Sequence, residues 1–296
     1  MQMARVTKAL RVAGLLWVTT VAWGQIVAPT SVPKVPMDRF GPPLCPGVKS
    51  PVYRDSVAAA KAEQEQGAGL DHALLANEPI ENFEIQRYRL VEYGDCLGTG
   101  GCYWADLDAQ FRRAELALDA EVERAKAEGQ HGKPALVMDI DETSLSSYCE
   151  MKREDFGYLP ALSNAWVVTP EAAVGIPGAV RLFNRAKTAG VAVFFLTGRL
   201  GVPNTNQAPP AHLQDQTAGT ERNLESAGFH GWTGLLLRDG EEIGLPTIEY
   251  KSRERAKLVS RGYTILLSVG DQWSDLLGTP QAEVSVKLPN PFYFLP

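Results

Sequence analysis

The chain is poor in the residue types on which several common chemistries depend. Its 296 residues include four cysteines and four histidines, and no Cys-x-x-Cys pair occurs, so zinc and dithiol redox sites have little support. Ser144, Ser146 and Ser147 lie outside any Gly-x-Ser-x-Gly context, which disfavours a serine hydrolase. The formal charge of −6 and the lack of a run rich in lysine or arginine argue against a nucleic-acid-binding protein.

Long apolar runs are also missing. The stretch beginning at Val12 is too short to span a bilayer, and Arg5, Lys8 and Arg11 precede it, as in a secretory signal. We therefore predict a signal peptide over 1–24 and a secreted or periplasmic protein with no membrane span after cleavage; an N-terminal membrane anchor is the alternative. Residues 25–51 hold seven prolines, which is typical of an extended leader.

The four cysteines suit an exported protein because their number is even. Cys96 and Cys102 flank a short glycine-rich loop that would allow them to pair, which leaves Cys45 with Cys149. Four unpaired thiols remain the alternative.

The rest of the chain alternates between helical and strand-like patterns. A helix is predicted over 104–128, and the later helices are predicted over 179–189, 217–227 and 252–261. Apolar strands are predicted over 134–139, 191–196, 235–237, 264–269 and 284–288. This alternation predicts an α/β fold with a doubly wound, Rossmann-like parallel sheet and helices on both faces. Residues 52–296 would form one domain.

Four polar clusters lie where predicted strands end or predicted helices begin. They are, in chain order, Asp139-Ile140-Asp141-Glu142-Thr143, Thr197-Gly198-Arg199, Tyr250-Lys251-Ser252 and Gly270-Asp271-Gln272-Trp273-Ser274-Asp275. In a doubly wound sheet these points share one rim, so the four clusters predict one site for a divalent cation and a phosphoryl group. Taken singly, the clusters have simpler interpretations, namely turns at Asp139 and Thr197, a solvated lysine at Lys251 and a helix cap at Asp275.

These clusters resemble the four motifs of the haloacid dehalogenase superfamily. The segments DIDETSLS, TGR, YKSRER, GDQWSDL and KLPNPFYF resemble its acid phosphatase branch in particular, over about residues 80 to 296. That branch includes plant acid phosphatases, plant vegetative storage proteins and bacterial secreted acid phosphatases. The resemblance implies a phosphomonoesterase that acts on small phosphate esters.

The resemblance also implies a role for each residue. Asp139 would attack phosphorus and form an aspartyl-phosphate, and Asp141 would act as the acid and base. Thr197, Gly198 and Lys251 would bind the phosphoryl oxygens. Mg²⁺ would be held by oxygen ligands alone, which are the Asp139 and Asp271 carboxylates and the Asp141 carbonyl.

Three questions stay open from the sequence. Asp275 would orient a metal-bound water or Lys251, unless it caps the following helix. The insertion at about 144–176, where the superfamily places a cap, carries Tyr148, Phe156, Tyr158 and Trp166, which form either an aromatic wall for a substrate or a small hydrophobic core. A non-catalytic storage or binding protein and a phosphotransferase remain competing hypotheses, although the intact Asp139 weighs against the storage protein.

Overall fold

The computed structural model describes residues 83–97, 101–129, 132–201 and 214–295. The predicted signal peptide and leader lie outside these ranges. Within them, no helix has a stretch that is both long and apolar enough to cross a membrane.

Five parallel strands form a single sheet in the order β3-β2-β1-β4-β5. The strands are β1 Lys133–Met138, β2 Ala192–Leu200, β3 Gly234–Arg238, β4 Tyr263–Gly270 and β5 Val284–Lys287. The chain leaves β1 toward β2 and later returns to place β4 on the other side of β1. The strand order therefore reverses between β1 and β4, which is where doubly wound sheets form their ligand crevice.

Eight α-helices accompany the sheet in the part of the chain that the structure describes. They are α1 Phe83–Gly94, α2 Tyr103–Ala127, α3 Tyr148–Arg153, α4 Pro160–Trp166, α5 Pro177–Thr188, α6 Thr217–Ser226, α7 Thr247–Ser260 and α8 Trp273–Leu276. Helices α2 and α5 pack on one face of the sheet, and α7 packs on the other. The predicted α/β fold with helices on both faces is confirmed.

Helix α2 shows how the apolar pattern positions an element. Leu107, Phe111, Ala114 and Leu118 recur at intervals of three or four residues, and each is fully or almost fully buried. The close packing of α5 against this face requires Gly178, because a β-carbon there would lie 2.6 Å from Phe111 Cβ.

Two boundaries differ from the prediction by more than two residues, and both concern the site. Helix α7 begins at Thr247, so Lys251 lies inside the helix and does not precede it. Pro246 is the N-cap of α7, where its missing N–H costs nothing. Strand β2 continues to Leu200, so Thr197 and Gly198 lie inside the strand and do not follow it. Leu200 pairs with Arg238 beyond a shift in register, which extends the ladder past the predicted end of the strand.

The insertion between β1 and α5 contains α3, α4 and a short 3₁₀ helix at Pro170–Ala172. The predicted Cys96–Cys102 disulfide is confirmed. Cys149 is also disulfide-bonded, whereas its predicted partner Cys45 lies outside the described residues.

Candidate active site

Three aspartates meet at the carboxyl edge of the sheet. Asp139 follows β1, Asp271 follows the adjacent strand β4, and Asp275 lies in α8 just beyond. One carboxylate oxygen from each residue lies within 4.8 Å of the other two, and all three side chains are buried. Two of the four predicted clusters therefore converge at the point where the strand order reverses.

Lys251, which belongs to the third cluster, lies at the same point. It lies in the second turn of α7, on the buried side of the helix. Its Nζ donates to Asp139 Oδ1 and to Asp275 Oδ1, at 2.5 Å each. Only 3% of the lysine side chain is exposed, so both ion pairs lie in a low-dielectric environment.

The acidic cluster carries more negative charge than Lys251 balances. Three carboxylates and one ammonium leave two negative charges, which is the charge that one divalent cation would neutralise. Burial, opposed by Lys251, raises the pKa of Asp139 well above its usual value. Burial together with the charge of Asp275 raises the pKa of Asp271 to about 7. Burial lowers the pKa of Lys251, but Asp139 and Asp275 more than offset this and raise it overall.

These observations fit a hard divalent cation. The donors are carboxylate oxygens, the described residues add no histidine or cysteine to the cluster, and the uncompensated charge has the right size. Asp139 and Asp271 would hold the cation, whose presence would reverse the raised pKa of both residues.

Asp271 is fixed in place by three donors, a feature that the sequence analysis missed. Thr143 Oγ1 donates to Asp271 Oδ1 at 3.1 Å, and the side-chain amides of Gln272 and Asn290 each donate to Oδ2 at 2.7 Å. Asn290 lies 19 residues beyond Asp271, after β5. Its segment KLPNPFYF contributed to the family resemblance, but no residue in that segment was predicted to belong to the site.

Asp275 makes contacts that fit both of the predicted interpretations. Its Oδ2 accepts from Gln272 N–H at 2.8 Å, which completes a capping box at the start of α8, while its Oδ1 accepts from Lys251. Asp275 can approach the end of β4 because Gly270 has no side chain. A β-carbon there would lie 2.3 Å from Asp275 Cβ.

Asp141 forms an ion pair with Arg199, for which the sequence analysis predicted no role. Arg199 Nη2 and Nε donate to the two oxygens of Asp141, at 2.7 Å to Oδ1 and 3.1 Å to Oδ2. A further Arg199 nitrogen donates to the carbonyl of Val167 and the hydroxyl of Thr220, at 3.2 and 3.1 Å. The guanidinium therefore holds the Asp141 carboxylate in one orientation and joins it to the insertion.

Thr197 and Gly198 lie beside this pair. The Thr197 side chain is fully buried, and its hydroxyl accepts from Arg199 N–H at 3.2 Å. Gly198 borders the same cavity as Asp139, Asp141 and Lys251. The sequence prediction that both residues bind phosphoryl oxygens stays a prediction.

Glu142 is a further buried acid beside the site, and the sequence predicted no role for it. Its backbone has φ of 55°, in the left-handed region, and its side chain is fully buried. It accepts from the backbone N–H and hydroxyl of Ser147 and from the hydroxyl of Tyr293. Burial, followed by the charge of Asp141, raises its pKa to about 8.

A cavity of about 340 Å³ opens above these residues. The insertion and the carboxyl-terminal residues form its outer wall. The four aromatic residues of the insertion divide between the two predicted interpretations. Tyr148 is buried in the hydrophobic core, Tyr158 and Trp166 border the cavity, and Phe156 packs against the core and borders the cavity as well. Tyr158 is the most exposed of them, at 68%.

Comparison with known proteins agrees with this geometry. Residues 57–296 match the family model of the HAD superfamily, subfamily IIIB (acid phosphatase). The chain is 35% identical over 170 residues to the stem 28 kDa glycoprotein of Glycine max and 32% identical over 170 residues to acid phosphatase 1 of Solanum lycopersicum. Each alignment covers 56% of this chain and 61% of the relative, so the chain spans about three fifths of the length of these relatives.

A solved structure shows the same fold. The class C acid phosphatase from Bacillus anthracis superposes with a TM-score of 0.51 at 24% sequence identity, covering 71% of this chain and 85% of that one. Because the family model spans most of the chain and contains all four clusters, the chain belongs to the HAD superfamily, subfamily IIIB, the acid phosphatase subfamily.

Proposed function

We propose that this chain is a Mg²⁺-dependent phosphomonoesterase that acts through an aspartyl-phosphate on small phosphate esters. The observation that carries the proposal is the junction of Asp139, Asp271, Asp275 and Lys251 at the reversal of strand order. Three buried carboxylates that could hold a cation lie there close together, and the buried ammonium of Lys251 donates to two of them. The family and the relative named acid phosphatase support the same class of reaction.

Asp139 is the proposed nucleophile. Its Oδ1 accepts from Lys251, and it borders the cavity from which a substrate would approach. Attack by a carboxylate oxygen on phosphorus forms the acyl-phosphate bond and breaks the bond to the leaving alkoxide. Lys251 would keep Asp139 ionised and neutralise charge on the phosphoryl oxygens, with Thr197 and Gly198 donating to them as well.

Asp141 is the proposed acid and base. It would give a proton to the departing alkoxide and then take one from the water that attacks the acyl-phosphate. Arg199 orients the Asp141 carboxylate without blocking it, because Asp141 still borders the cavity.

The metal would be Mg²⁺, held by Asp139, Asp271 and the Asp141 carbonyl, with Asp275 positioning Lys251. When bound, Mg²⁺ offsets the repulsion between the anionic nucleophile and the phosphate dianion. Asp271 can serve as a fixed ligand because its three donors already orient it.

We also propose that the protein works outside the cytoplasm, after removal of residues 1–24. The Cys96–Cys102 disulfide and the disulfide-bonded state of Cys149 support an oxidising compartment. Fractionation of the expressing cells and N-terminal sequencing of the mature protein would test this; recovery of the uncleaved chain in the cytoplasm would contradict it.

The test of activity compares the protein with its Asp139→Asn and Asp141→Asn variants on small phosphomonoesters, with Mg²⁺ and with EDTA. We expect EDTA and Asp139→Asn each to abolish turnover, and Asp141→Asn to reduce it by about 100-fold or more. Asp119→Asn is the matched control, since Asp119 pairs with Arg185 on an outer face. Acid quenching during turnover should trap phosphate on Asp139.

Activity that survives both EDTA and Asp139→Asn would contradict the mechanism. Absence of any activity in the wild-type protein would favour the non-catalytic storage protein. Added alcohols distinguish hydrolysis from phosphotransfer, because a phosphotransferase would form new phosphate esters in place of inorganic phosphate.

A further inference from the structure

Arg238 is a buried cation for which the described residues provide no ion-pair partner. Its side chain lies at the end of β3, and the residue is 9% exposed. One terminal nitrogen donates to the carbonyl of Leu245 at 2.7 Å, the other donates to the hydroxyl of Thr247 at 2.6 Å, and Nε donates to nothing. The guanidinium also lies over the ring of Tyr250, 5.0 Å from its centroid.

The neighbouring acids do not balance this charge. Glu242 acts on Arg238 electrostatically but forms an ion pair with Lys257 at 2.6 Å. A buried charge without a partner is costly, and buried ions in proteins are normally paired or bound to a ligand. The described part of the chain therefore gives Arg238 two neutral acceptors and an aromatic ring but no anion.

A second, independent feature at the same place attracts anions. Helix α7 begins at Thr247 with no side-chain cap on its first N–H groups, and its N-cap is Pro246, whose side chain offers no acceptor. The amino end of this 14-residue helix carries a partial positive charge. Its free backbone donors are the N–H groups before Glu249, because the Glu249 N–H donates to the Pro246 carbonyl at 3.0 Å. Thr247 and Arg238 both border the cavity.

The position of Arg238 and Thr247 relative to the proposed phosphoryl site follows from the geometry of α7. Thr247 and Lys251 are four residues apart, which places them on one side of the helix and about 6 Å apart along its axis. Gly198 links the two places, since a β-carbon on Gly198 would lie 4.0 Å from Arg238 Nε. Arg238 and Thr247 thus adjoin the phosphoryl site, and Thr247 lies one helical turn away from Lys251.

We propose that Arg238 and the amino end of α7 bind a second anionic group of the substrate, a phosphate or a carboxylate, about one helical turn from the phosphoryl group that is hydrolysed. The inference rests on the proposed function and specifies its substrate class. A phosphoryl group offers three non-bridging oxygens, and the cation, Lys251 and the Thr197–Gly198 pair already account for them. Arg238 would therefore contact a different anion.

The test compares substrates that differ only in the second anion. Glycerol 1-phosphate and 3-phosphoglycerate form one pair, and a hexose 6-phosphate and the hexose 1,6-bisphosphate form a longer one. For Arg238→Gln we expect kcat/KM to fall about 10- to 100-fold on the substrate that carries the second anion, mainly through KM, and less than about threefold on its partner. Thr247→Val should show a smaller loss with the same preference.

Arg253→Gln removes the same charge from the exposed side of α7 and should affect both members of each pair equally. Circular dichroism and thermal unfolding of each variant check that it folds. An equal loss on both members of a pair for Arg238→Gln would overturn the proposal, because it would place Arg238 on the hydrolysed phosphoryl group or in a structural role. Equal activity of Arg238→Gln and wild type on all four substrates would overturn it as well.

A binding experiment separates this inference from the proposed function. Calorimetry with the turnover-blocked Asp139→Asn protein would measure the affinities for glycerol 1-phosphate and 3-phosphoglycerate, with and without Arg238→Gln. A preference for 3-phosphoglycerate that Arg238→Gln removes would support the anion site even if the wild-type protein hydrolysed neither compound. Equal affinities for the two compounds in the Asp139→Asn protein would contradict it.

Discussion

At the scale of the residue, Lys251 controls the charge balance of the cluster. It donates to Asp139 and Asp275 from α7, and its side chain is almost fully buried. Removing one partner from a buried ion pair leaves the other charge unpaired, which costs more than the pair itself contributes. Asp275 accepts from Gln272 as well, so the loss of Lys251 would also affect the turn before α8.

We predict that Lys251→Met lowers the free energy of unfolding of the metal-free protein by about 3 kcal/mol. The loss should be smaller with saturating Mg²⁺, because a bound cation would neutralise the same carboxylates. Urea unfolding at low and high Mg²⁺ measures both values. Lys257→Met on the same helix is the control; its side chain is 51% exposed and should contribute less than about 1 kcal/mol at either concentration. A metal-free Lys251→Met protein as stable as wild type would contradict the prediction.

At the scale of the element, the turn between β4 and α8 depends on the absence of a side chain at Gly270. A β-carbon there would lie 2.3 Å from Asp275 Cβ and 2.4 Å from its Oδ2, which is closer than packed atoms approach. We predict that Gly270→Ala destabilises the protein by about 2 kcal/mol or more and displaces Asp275 from Lys251. Gly244→Ala is the matched control, since its β-carbon would have no neighbour within 4 Å. Thermal unfolding of both variants should show a loss for Gly270→Ala alone.

The carboxyl-terminal segment 288–295 is a second element that the site requires. Asn290 donates to Asp271, Tyr293 donates to Glu142, and the Gln272 amide exchanges hydrogen bonds with the backbone of Tyr293 and Leu295. Phe292 packs among the aromatic rings of the core. The segment therefore fixes the orientation of Asp271 from outside the sheet.

Asn290→Ala should weaken the affinity for a divalent cation by about tenfold, because Asp271 would lose one of its orienting donors. Calorimetric titration with Mn²⁺ measures the affinity without turnover. Asn290 Oδ1 also accepts from Phe292 N–H at 2.9 Å, and a serine hydroxyl would preserve that bond while being too short to reach Asp271. Asn290→Ser should therefore weaken binding as much as alanine does. Normal affinity in Asn290→Ser would show that the loss in Asn290→Ala comes from the broken hydrogen bond to Phe292 N–H and not from the missing donor to Asp271.

Local pattern and long-range contact explain what the sequence could and could not predict. Apolar runs and helical periodicity predicted the five strands and α2, and the positions of polar clusters after strands predicted Asp139 and Asp271. The predicted start of α7 was wrong because residues 247–251 show no apolar periodicity. Arg238, Asn290 and Glu142 were missed because their roles depend on partners in other elements of the fold, which spacing along the chain does not reveal.

At the scale of the whole molecule, a cation bound at this site would couple its binding to folding. Asp139, Lys251, Asp271 and Asn290 span more than half of the chain and meet only when the sheet has formed. An unfolded chain therefore has no comparable site, and a cation that binds only the folded state stabilises it by about 4 kcal/mol at 1,000 times its Kd. The metal-free protein, in contrast, contains more buried negative charge in this cluster than Lys251 balances.

Asp271→Asn separates the stabilisation by a bound cation from the cost of the buried charge in the metal-free protein. The substitution removes one buried negative charge but preserves the hydrogen bonds: the amide oxygen can accept from Gln272 and Asn290, and the amide nitrogen can donate to the Thr143 hydroxyl, which can rotate to accept. We predict that the metal-free variant melts at a higher temperature than metal-free wild type, because the raised pKa of Asp271 reflects the cost of its charge there.

The same variant should gain little stability from added Mg²⁺, because the cation would lose a charged ligand, whereas wild type should gain several degrees. Thermal unfolding across a Mg²⁺ titration measures the melting temperature of both proteins, and Asp119→Asn, in an exposed pair with Arg185, serves as the control that follows wild type. The two melting curves should cross as the Mg²⁺ concentration rises. Curves that stay parallel would show that the cation binds elsewhere, and a less stable metal-free variant would show that the charge of Asp271 is compensated within the chain.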